Sequence, residues 1–455
     1  MNNYDAFINT KQIKTIASGH ECSTDISRLF DFQKDIVKWS LKMGRSCVFA
    51  DTGLGKTAMQ LHWAHDVLVK TNKPALILAP LAVARQTERE ADKFGIECKY
   101  IRNPDGIIKG INIINYEMMN HFDMSCFGGI VMDESSLLKS FNGHYRNQII
   151  EKTANVPYKL ACTATPAPND LQELGNHCEF MGIMSFSEMR SMFFVNDSGD
   201  TGSAWRLKGH AESEFWNFVS SWAVMLSDPA DLGYNEQNYK LPELIYKSVV
   251  VDQNDLNIFD KGLLTLQDRN RVRRQSLQSR CEASADIVNN SSDIHIVWCN
   301  LNDESALLTN LIDGAVEVAG HHDNDYKADM MLEFAKGNLK CLVSKPKLSG
   351  QGMNWQVCHN QVFTGLSDSY EQFYQAVRRC WRFGQTKPVT VNIVTAEREG
   401  EIVDNIKRKE EQHEAMKKEM AQRTMDITFA NLKGISPQRT EYKPDKGLIL
   451  PAWLS

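Results

Sequence analysis

Residues 47–57 read Cys-Val-Phe-Ala-Asp-Thr-Gly-Leu-Gly-Lys-Thr. The first four residues are apolar, two glycines follow, and the residues after Thr57 favour a helix. This order predicts a buried strand that passes through a tight loop into a helix. The N–H groups of such a loop, together with the helix N-terminus, bind phosphate. The stretch therefore predicts a phosphate-binding site in an α/β fold.

Short apolar runs alternate with longer helical patterns along most of the chain. They form one group at residues 47–50, 75–79, 111–114, 130–132 and 159–162, and a second group at 294–298, 316–318, 341–343, 361–363 and 389–394. Strands covered by helices on both faces give such continuous apolar runs. The predicted fold class is α/β, with two parallel-sheet lobes and helical insertions.

The chain has 455 residues, which is too long for one ordinary core. Lobe one is predicted at residues 24–240, with a helical insertion at about 168–240 that is rich in aromatic residues and lacks strand runs. Lobe two is predicted at 241–400 and opens with a charged helical stretch from about 254 to 280. Residues 401–455 are predicted to form a charged helix and a tail.

The bulk composition excludes few functions. The net charge of −6 neither indicates nor excludes nucleic-acid binding, since a local basic groove suffices for it. No apolar run approaches the roughly 20 residues that span a bilayer, so no membrane partner is expected. The first residues lack a signal-peptide pattern, and the 11 cysteines lack zinc-ligand spacing. These features predict a cytoplasmic protein with reduced cysteines.

The loop that follows residue 50 resembles a P-loop, in which each residue type has a task. We expect Lys56 to reach the β- and γ-phosphates of ATP and the Thr57 hydroxyl to ligate Mg²⁺. ATP and Mg²⁺ are therefore the expected ligands. The predicted loop residues around the phosphates are Thr52, Gly53, Leu54 and Gly55.

Two carboxylates and one amide extend this predicted site. Asp133 and Glu134 follow the apolar run at 130–132, which would place Asp133 on the Mg²⁺ and Glu134 beside the attacking water as a base. Gln33 lies upstream in the sequence Phe-Asp-Phe-Gln, where its amide could read the adenine edge. The alternative for Gln33 is an ordinary surface residue.

Residues 375–385 read Gln-Ala-Val-Arg-Arg-Cys-Trp-Arg-Phe-Gly-Gln. The spacing of glutamines, arginines and glycine in this stretch resembles that of superfamily-two helicases, and within them the Swi/Snf-type translocases of double-stranded DNA. Together with the motifs above, the resemblance covers about residues 28–400. The resemblance implies two RecA-like lobes. It also implies that Arg382 is an arginine finger and Arg379 a second phosphate contact, supplied by lobe two when the cleft closes.

Two further stretches resemble family motifs. Residues 163–166, Thr-Ala-Thr-Pro, resemble the motif that couples hydrolysis to lobe movement, which implies coupling roles for Thr163 and Thr165. The resemblance implies a coupling role for Gln375 as well, the first residue of the stretch at 375–385. Residues 349–354 resemble the lobe-two motif between DNA and nucleotide, which implies that Gly352 lies near the nucleotide.

The chain also departs from the family pattern. Asp-Glu-Ser-Ser at 133–136 replaces the commoner His-ended box, and the P-loop is one residue shorter than usual. Both changes leave open how hydrolysis would be coupled to movement. The aromatic insertion is similar to that of small phage- and prophage-encoded members, although an aromatic stripe is more often core packing.

Four residues that follow predicted strands are candidates for nucleic-acid contact. They occupy places that resemble family contact motifs, and the alternative for each is a solvated side chain. The four are Arg85, Asn115, Lys345 and Lys347. The backbone phosphates of the strand would be their ligands.

The function that these motifs imply is a DNA-stimulated ATPase that translocates on duplex DNA. One alternative is a helicase that separates DNA or RNA strands, although the sequence shows no wedge element. Another is a nucleotide-gated DNA-binding subunit that recruits a partner such as a nuclease. The sequence carries no visible nuclease motif, so chemistry on DNA would come from a protein partner.

Overall fold

The computed structural model describes residues 17–139, 144–167, 170–197, 204–234, 241–251, 276–349, 353–367 and 369–396, with scattered helical residues between 408 and 432. Within them the chain is α/β and has one seven-stranded and one six-stranded parallel sheet. The predicted fold class is confirmed, and the arrangement is compatible with two RecA-like lobes. Below, lobe one is the part with the seven-stranded sheet and lobe two is the part with the six-stranded sheet.

Lobe one contains nine of the described strands. They are β1 (Arg45–Ala50), β2 (Ala75–Leu78), β3 (Cys98–Tyr100), β4 (Ile111–Ile114), β5 (Gly129–Asp133), β6 (Tyr158–Thr163), β7 (Phe194–Asp197), β8 (Ala204–Leu207) and β9 (Ala223–Leu226). Its described helices are α1 (Asp31–Met43), α2 (Lys56–Thr71), α3 (Leu81–Phe94), α4 (His144–Thr153), α5 (Leu174–Met181), α6 (Phe186–Phe193) and α7 (Glu212–Ser220).

The seven-stranded sheet has the order β3-β4-β2-β5-β6-β1-β9, and all neighbours are parallel. Side chains of β1 alternate between two cores: Cys47 and Phe49 pack in one cluster, whereas Val48 and Ala50 pack in the other. Burial on both faces explains the continuous apolar run of this strand. Because the strands are parallel, the carboxyl ends of β1 and β5 lie at one edge of the sheet, separated by β6.

Lobe two repeats this architecture. Its strands are β10 (Leu244–Val251), β11 (His295–Trp298), β12 (Ala315–Val318), β13 (Cys341–Ser344), β14 (Asn360–Thr364) and β15 (Val389–Ala396). Its described helices are α8 (Leu277–Asn289), α9 (Asn302–Leu311), α10 (Asn324–Ala335), α11 (Pro346–Ser349) and α12 (Tyr370–Cys380). The strand order is β10-β15-β14-β11-β13-β12, with every neighbouring pair parallel.

The prediction of a purely helical insertion at 168–240 is wrong. Strands β7 and β8 form an antiparallel pair there, and β9 joins β1 as the seventh strand of the main sheet. The expectation that its aromatic residues are core is confirmed, since Phe215, Trp216 and Trp222 are buried in one cluster. Two strands at other places, β3 and β10, had no predicted counterpart.

Other expectations meet the limits of the described residues. Most of the predicted helical stretch at 254–280 lies outside them, and the helix α8 begins only at Leu277. Most of region 401–455 lies outside them as well.

Eight of the eleven cysteines are buried, and all eleven are free thiols. None of the described helices is both long and apolar enough to cross a membrane; the cytoplasmic location stays a prediction.

One buried charge in lobe one has a measurable consequence for stability. Lys159 in β6 is only 2% exposed, and its Nζ donates to the Phe180 carbonyl at 2.9 Å. Burial, reinforced by the nearby Arg45, lowers the pKa of Lys159 to about 7. The unfolded chain keeps a lysine pKa of about 10.4, so between these two values the unfolded state binds more protons.

Below pH 7 the buried charge therefore lowers the free energy of unfolding by its full amount. As the pH rises above 7, Lys159 loses its proton in the folded state and this destabilisation disappears. We expect the stability of wild type relative to Lys159→Met to increase with pH between 7 and 9, by at most about 1.4 kcal/mol per pH unit. Urea unfolding of both proteins across this range measures it. Ionisation of the cysteines is common to both proteins and cancels. A difference that is flat in pH would contradict the lowered pKa.

Candidate nucleotide-binding cleft

A cleft of about 170 Å³ lies between the two lobes. Lobe one contributes residues from the ends of β1 and β5 and from α3, whereas lobe two contributes the segment after residue 352 and the end of α12. The lining residues are Thr52, Gly53, Gly55, Lys56, Thr57, Val83, Glu90, Asp133, Glu134, Asn354, Gln356, Arg379, Arg382 and Phe383. Most residues that the motifs single out for ATP and Mg²⁺ therefore surround one space.

The loop between β1 and α2 requires its glycines. Gly53 and Gly55 have φ values of +96° and +75°, which side chains other than glycine rarely adopt. A Cβ on Gly55 would lie 2.2 Å from the Gln33 Nε2 atom, and one on Gly53 would lie 2.9 Å from the backbone nitrogen of Phe383. The first glycine thus lets lobe two approach the loop, and the second lets α1 approach it.

Gln33 supports the loop from α1. Its Nε2 donates to the Leu54 carbonyl at 3.0 Å, and its Oε1 accepts from the Phe30 N–H at 3.1 Å. Both bonds fix the side chain against the P-loop. An amide of this kind keeps one further N–H and one lone pair, so the adenine contact of Gln33 stays a prediction.

Lys56 lies over the loop that it follows. Its ammonium group donates to the carbonyls of Ala50 at 2.9 Å and Asp51 at 3.2 Å. Burial lowers its pKa, and the carboxylates of Glu134, Asp51 and Asp133 oppose that change. The lysine is therefore a cation held at the mouth of the loop by backbone dipoles and acidic neighbours.

Asp133 ends the buried strand β5, and Glu134 follows it. Gln60 in α2 donates to Asp133 Oδ1 at 2.8 Å, and the Tyr116 hydroxyl donates to the Asp133 carbonyl. Burial, followed by the charge of Glu134, raises the pKa of Asp133 to about 6. The buried Asp133 carboxylate, the half-buried Glu134 and Thr57 line the same cleft, and their side chains offer hard oxygen ligands of the kind that Mg²⁺ prefers. The residues present thus fit this ion.

The backbone of Glu134 is unusual. Its φ of +54° is one of two positive values among the described non-glycine residues. A bulky residue in this left-handed region costs energy and persists only where its surroundings enforce it, commonly at functional sites. Here the preceding carbonyl, that of Asp133, is held by Tyr116. The strained turn brings the Glu134 side chain into the cleft lining.

Arg379 and Arg382 face the same cleft from lobe two. Arg379 is 2% exposed and donates to the carbonyls of Gln375 at 2.9 Å and Met353 at 3.3 Å, and Arg382 donates to Met353 at 3.3 Å. Among the described residues neither arginine has a carboxylate within 4.0 Å, and the Arg382 Nε has no partner.

Burial lowers the pKa of both guanidinium groups, that of Arg382 to about 9 with help from the adjacent Arg379. Buried charges are normally paired, because desolvation is costly. Two arginines without an ion-pair partner at one wall therefore fit an anionic ligand such as a nucleotide phosphate.

The predicted coupling residues lie at the back of the site and on α12. Thr163 ends β6, next to Phe49 of β1, and its Oγ1 accepts from the Thr165 N–H at 3.1 Å. Gln375 lies one turn before Arg379 and bonds to it through its carbonyl. None of these three side chains lines the cleft, so their coupling role stays a prediction. Gly352 lies outside the described residues.

The four nucleic-acid candidates are dispersed, and no described contact joins them. Arg85 forms ion pairs with Asp325 at 2.6 Å and Asp329 at 2.8 Å, both on α10 of lobe two. Lys345 donates to Asn302 at 2.6 Å, and Lys347 is exposed on α11. The Oδ1 of Asn115 is buried and has no hydrogen-bond partner within the described part of the chain. In this arrangement of the lobes Arg85 is engaged by carboxylates, and the nucleic-acid roles of all four stay predictions.

Several residues of the site were given no individual role by the sequence, and three of them, Gln60, Tyr116 and Asn354, bear on its polar contacts. Gln60 and Tyr116 bond to Asp133, and Asn354 lines the cleft with a buried Oδ1 that has no partner among the residues that the structure describes. For Gln60 a signal existed in the sequence, because it lies one helical turn after Lys56 and Thr57. For Tyr116 the contact depends on sheet order, which spacing does not give.

Comparison of the sequence with protein-family models and with curated proteins found no match. The assignment of this cleft therefore depends on its own geometry and on the motifs that line it.

Proposed function

We propose that this chain is a nucleic-acid-stimulated ATPase that translocates on duplex DNA, as Swi/Snf-type proteins do. The observation that carries the proposal is the composition of the cleft. Lys56, Thr57, Asp133 and Glu134 of lobe one share it with arginines 379 and 382 of lobe two. A site divided between two lobes can be complete only when the lobes meet, which would make hydrolysis depend on closure.

Each residue has a task in this proposal. The P-loop N–H groups and Lys56 bind the β- and γ-phosphates, and Glu134 orients the attacking water and accepts its proton. Arg379 and Arg382 stabilise the charge that grows on the transferred phosphate. The buried Oδ1 of Asn354, which no described residue bonds, would accept a hydrogen bond from a donor in the cleft.

The site would hold Mg²⁺ through Thr57 and Asp133. When bound, this ion neutralises charge on the β- and γ-phosphate oxygens. The pKa of about 6 for Asp133 reflects burial beside a second carboxylate, which a divalent cation relieves. Gln60 donates to the Oδ1 atom of Asp133 and so fixes the orientation of the carboxylate that would hold the ion.

The choice of DNA rests on the motifs at 163–166 and 375–385 that resemble Swi/Snf translocases. Phosphate contacts by scattered basic residues would fix the register of a strand without reading its sequence. Arg85 could take part only after leaving Asp325 and Asp329. The proposal therefore includes a change in the relative position of the lobes when nucleic acid binds.

Steady-state ATP hydrolysis tests the proposal directly. The purified chain would be assayed without nucleic acid and with single-stranded DNA, blunt duplex DNA, forked DNA and RNA, at constant salt because phosphate contacts are salt-dependent. We expect blunt duplex to raise the turnover at least about tenfold, which corresponds to about 1.4 kcal/mol of barrier. Stimulation by forks, single strands or RNA alone would replace translocation with strand separation. Absence of hydrolysis under all five conditions would contradict the ATPase itself.

A further inference from the structure

Helix α12 of lobe two forms an ion pair and hydrogen bonds with residues 51 and 52 of the glycine loop, through side chains that do not line the phosphate cleft. The Asp51 carboxylate is 3.0 Å from the Arg378 guanidinium through Oδ2, and its Oδ1 accepts from the Tyr374 hydroxyl at 2.8 Å. Arg378 also donates to the Thr52 carbonyl at 2.9 Å. The Arg378 and Asp51 side chains are 5% and 9% exposed, so the ion pair is buried. Two consecutive loop residues are thus bonded to one helix of the other lobe.

That helix, α12, also carries an arginine of the cleft. Tyr374 and Arg378 are four residues apart and share one side of the helix, whereas Gln375 and Arg379 share the adjacent side. The first pair contacts the loop at Asp51, and Arg379 lines the cleft. A rigid displacement of the helix therefore moves both sets of contacts together.

We propose that Asp51, Tyr374 and Arg378 form an interlobe clamp that positions α12, and with it Arg379 and the following Arg382, against the phosphate site. The three act as positioning residues and need not touch the nucleotide. The inference deepens the proposed function and rests on it.

The physical basis of the clamp is the burial of its charges. Asp51 and Arg378 belong to different lobes, so opening of the cleft returns each charge to water, and closure buries them as a pair. Removal of one partner leaves the other charge buried in the closed state and favours opening. The Thr52 carbonyl adds a requirement on loop conformation, since it must face Arg378. The clamp thus links the shape of the loop to the position of the arginines.

Arg378→Gln and Asp51→Asn each remove the ion pair. With saturating nucleic acid, we expect kcat for ATP to fall about 10- to 100-fold and KM to change less than about threefold, because the loss affects assembly of the closed site. The double variant should be no slower than the slower single one. Tyr374→Phe, which removes one hydroxyl, should lower kcat less and in the same direction. Arg378→Lys, which keeps the charge, should restore part of the loss.

Arg102→Gln is the matched control. Arg102 also forms an ion pair across the lobes, at 3.0 Å from Asp325, and it has no described contact with the P-loop. This variant should keep kcat within about twofold of wild type, as is usual for an exposed ion pair. If Arg102→Gln slowed turnover as much as Arg378→Gln, general loosening of the lobes would explain both, and the clamp would be wrong.

Amide hydrogen exchange tests the clamp independently of the proposed ATPase activity. Exchange at residues 370–380 of the full chain should be faster in Arg378→Gln and Asp51→Asn than in wild type, and unchanged in Arg102→Gln. This readout needs no hydrolysis, so a wild type without ATPase activity would overturn the proposed function and leave the clamp measurable. Unchanged exchange in both clamp variants, or additive effects in the double variant, would overturn the clamp.

Discussion

Replacement of Arg382 by alanine is expected to lower the rate of ATP hydrolysis by about 10³- to 10⁵-fold. The guanidinium lies at the lobe-two wall of the cleft, without a carboxylate partner among the described residues, and burial beside Arg379 lowers its pKa to about 9. A desolvated cation in this position gains most when negative charge accumulates on a transferred phosphate. The Arg382→Ala substitution should therefore lower kcat much more than it changes the affinity for nucleotide.

Phosphate release at saturating ATP and nucleic acid measures the effect. Nucleotide affinity, followed with a fluorescent ATP analogue, should change less than about tenfold, because lobe one supplies most ground-state contacts. Lys387→Ala is the matched control, since it removes an exposed cation from the same segment outside the cleft. If the Arg382→Ala protein folded normally and turned over within tenfold of wild type, Arg382 would have no part in the reaction.

Glu134→Gln is expected to slow hydrolysis by about 10²- to 10⁴-fold, the range attributed to general base catalysis. The amide keeps the size of the side chain and its hydrogen-bonding ability but cannot accept the proton of the attacking water. The backbone φ of +54° should persist, because the Tyr116 bond to the Asp133 carbonyl is unaffected. The variant should thus bind ATP and fail to turn it over.

Single-turnover hydrolysis distinguishes this result from weakened binding. In the Glu134→Gln protein the nucleotide should remain bound and uncleaved, whereas Glu117→Gln, an exposed acid one residue after Tyr116, should behave as wild type. Loss of ATP binding in Glu134→Gln would assign the residue to the ion or the loop. A cleavage rate near that of wild type would require another base in the cleft.

Nine of the ten strands that could be predicted from sequence are almost fully buried, and the tenth, β12, is half-buried over its first three residues. The ten predicted apolar runs all correspond to strands of the two sheets. The misses have local reasons: β3 is a three-residue edge strand, β10 is an edge strand with exposed residues, and β9 reads Ala-Val-Met-Leu inside an aromatic, helix-rich region. Sheet pairing is non-local, so a weak run becomes a strand only when a neighbour such as β1 is available.

The candidate site likewise contains some residues that the sequence predicts and some contacts that it does not. Residues within one motif, such as Lys56 and Thr57, are found by spacing because the loop and helix that present them are local. Contacts between motifs, such as those of Asp51 with Arg378, depend on how two lobes meet more than 300 residues apart in the sequence. The strained backbone of Glu134 is likewise enforced by tertiary contacts, and composition gives no sign of it.

The place of β9 in the first sheet has a consequence for how the chain is made. The strand β1 becomes an interior strand only when residues 223–226 pair with it, through bonds such as that from the Asp51 N–H to the Leu226 carbonyl at 3.0 Å. The other side of β1 pairs with β6, but during synthesis the side that meets β9 remains unpaired while about 170 further residues emerge from the ribosome. An apolar edge of this kind is a template for pairing with other chains. A nascent chain halted before residue 223 would expose it, and this makes the interval between β1 and β9 a stretch of translation in which the growing chain needs protection from its neighbours.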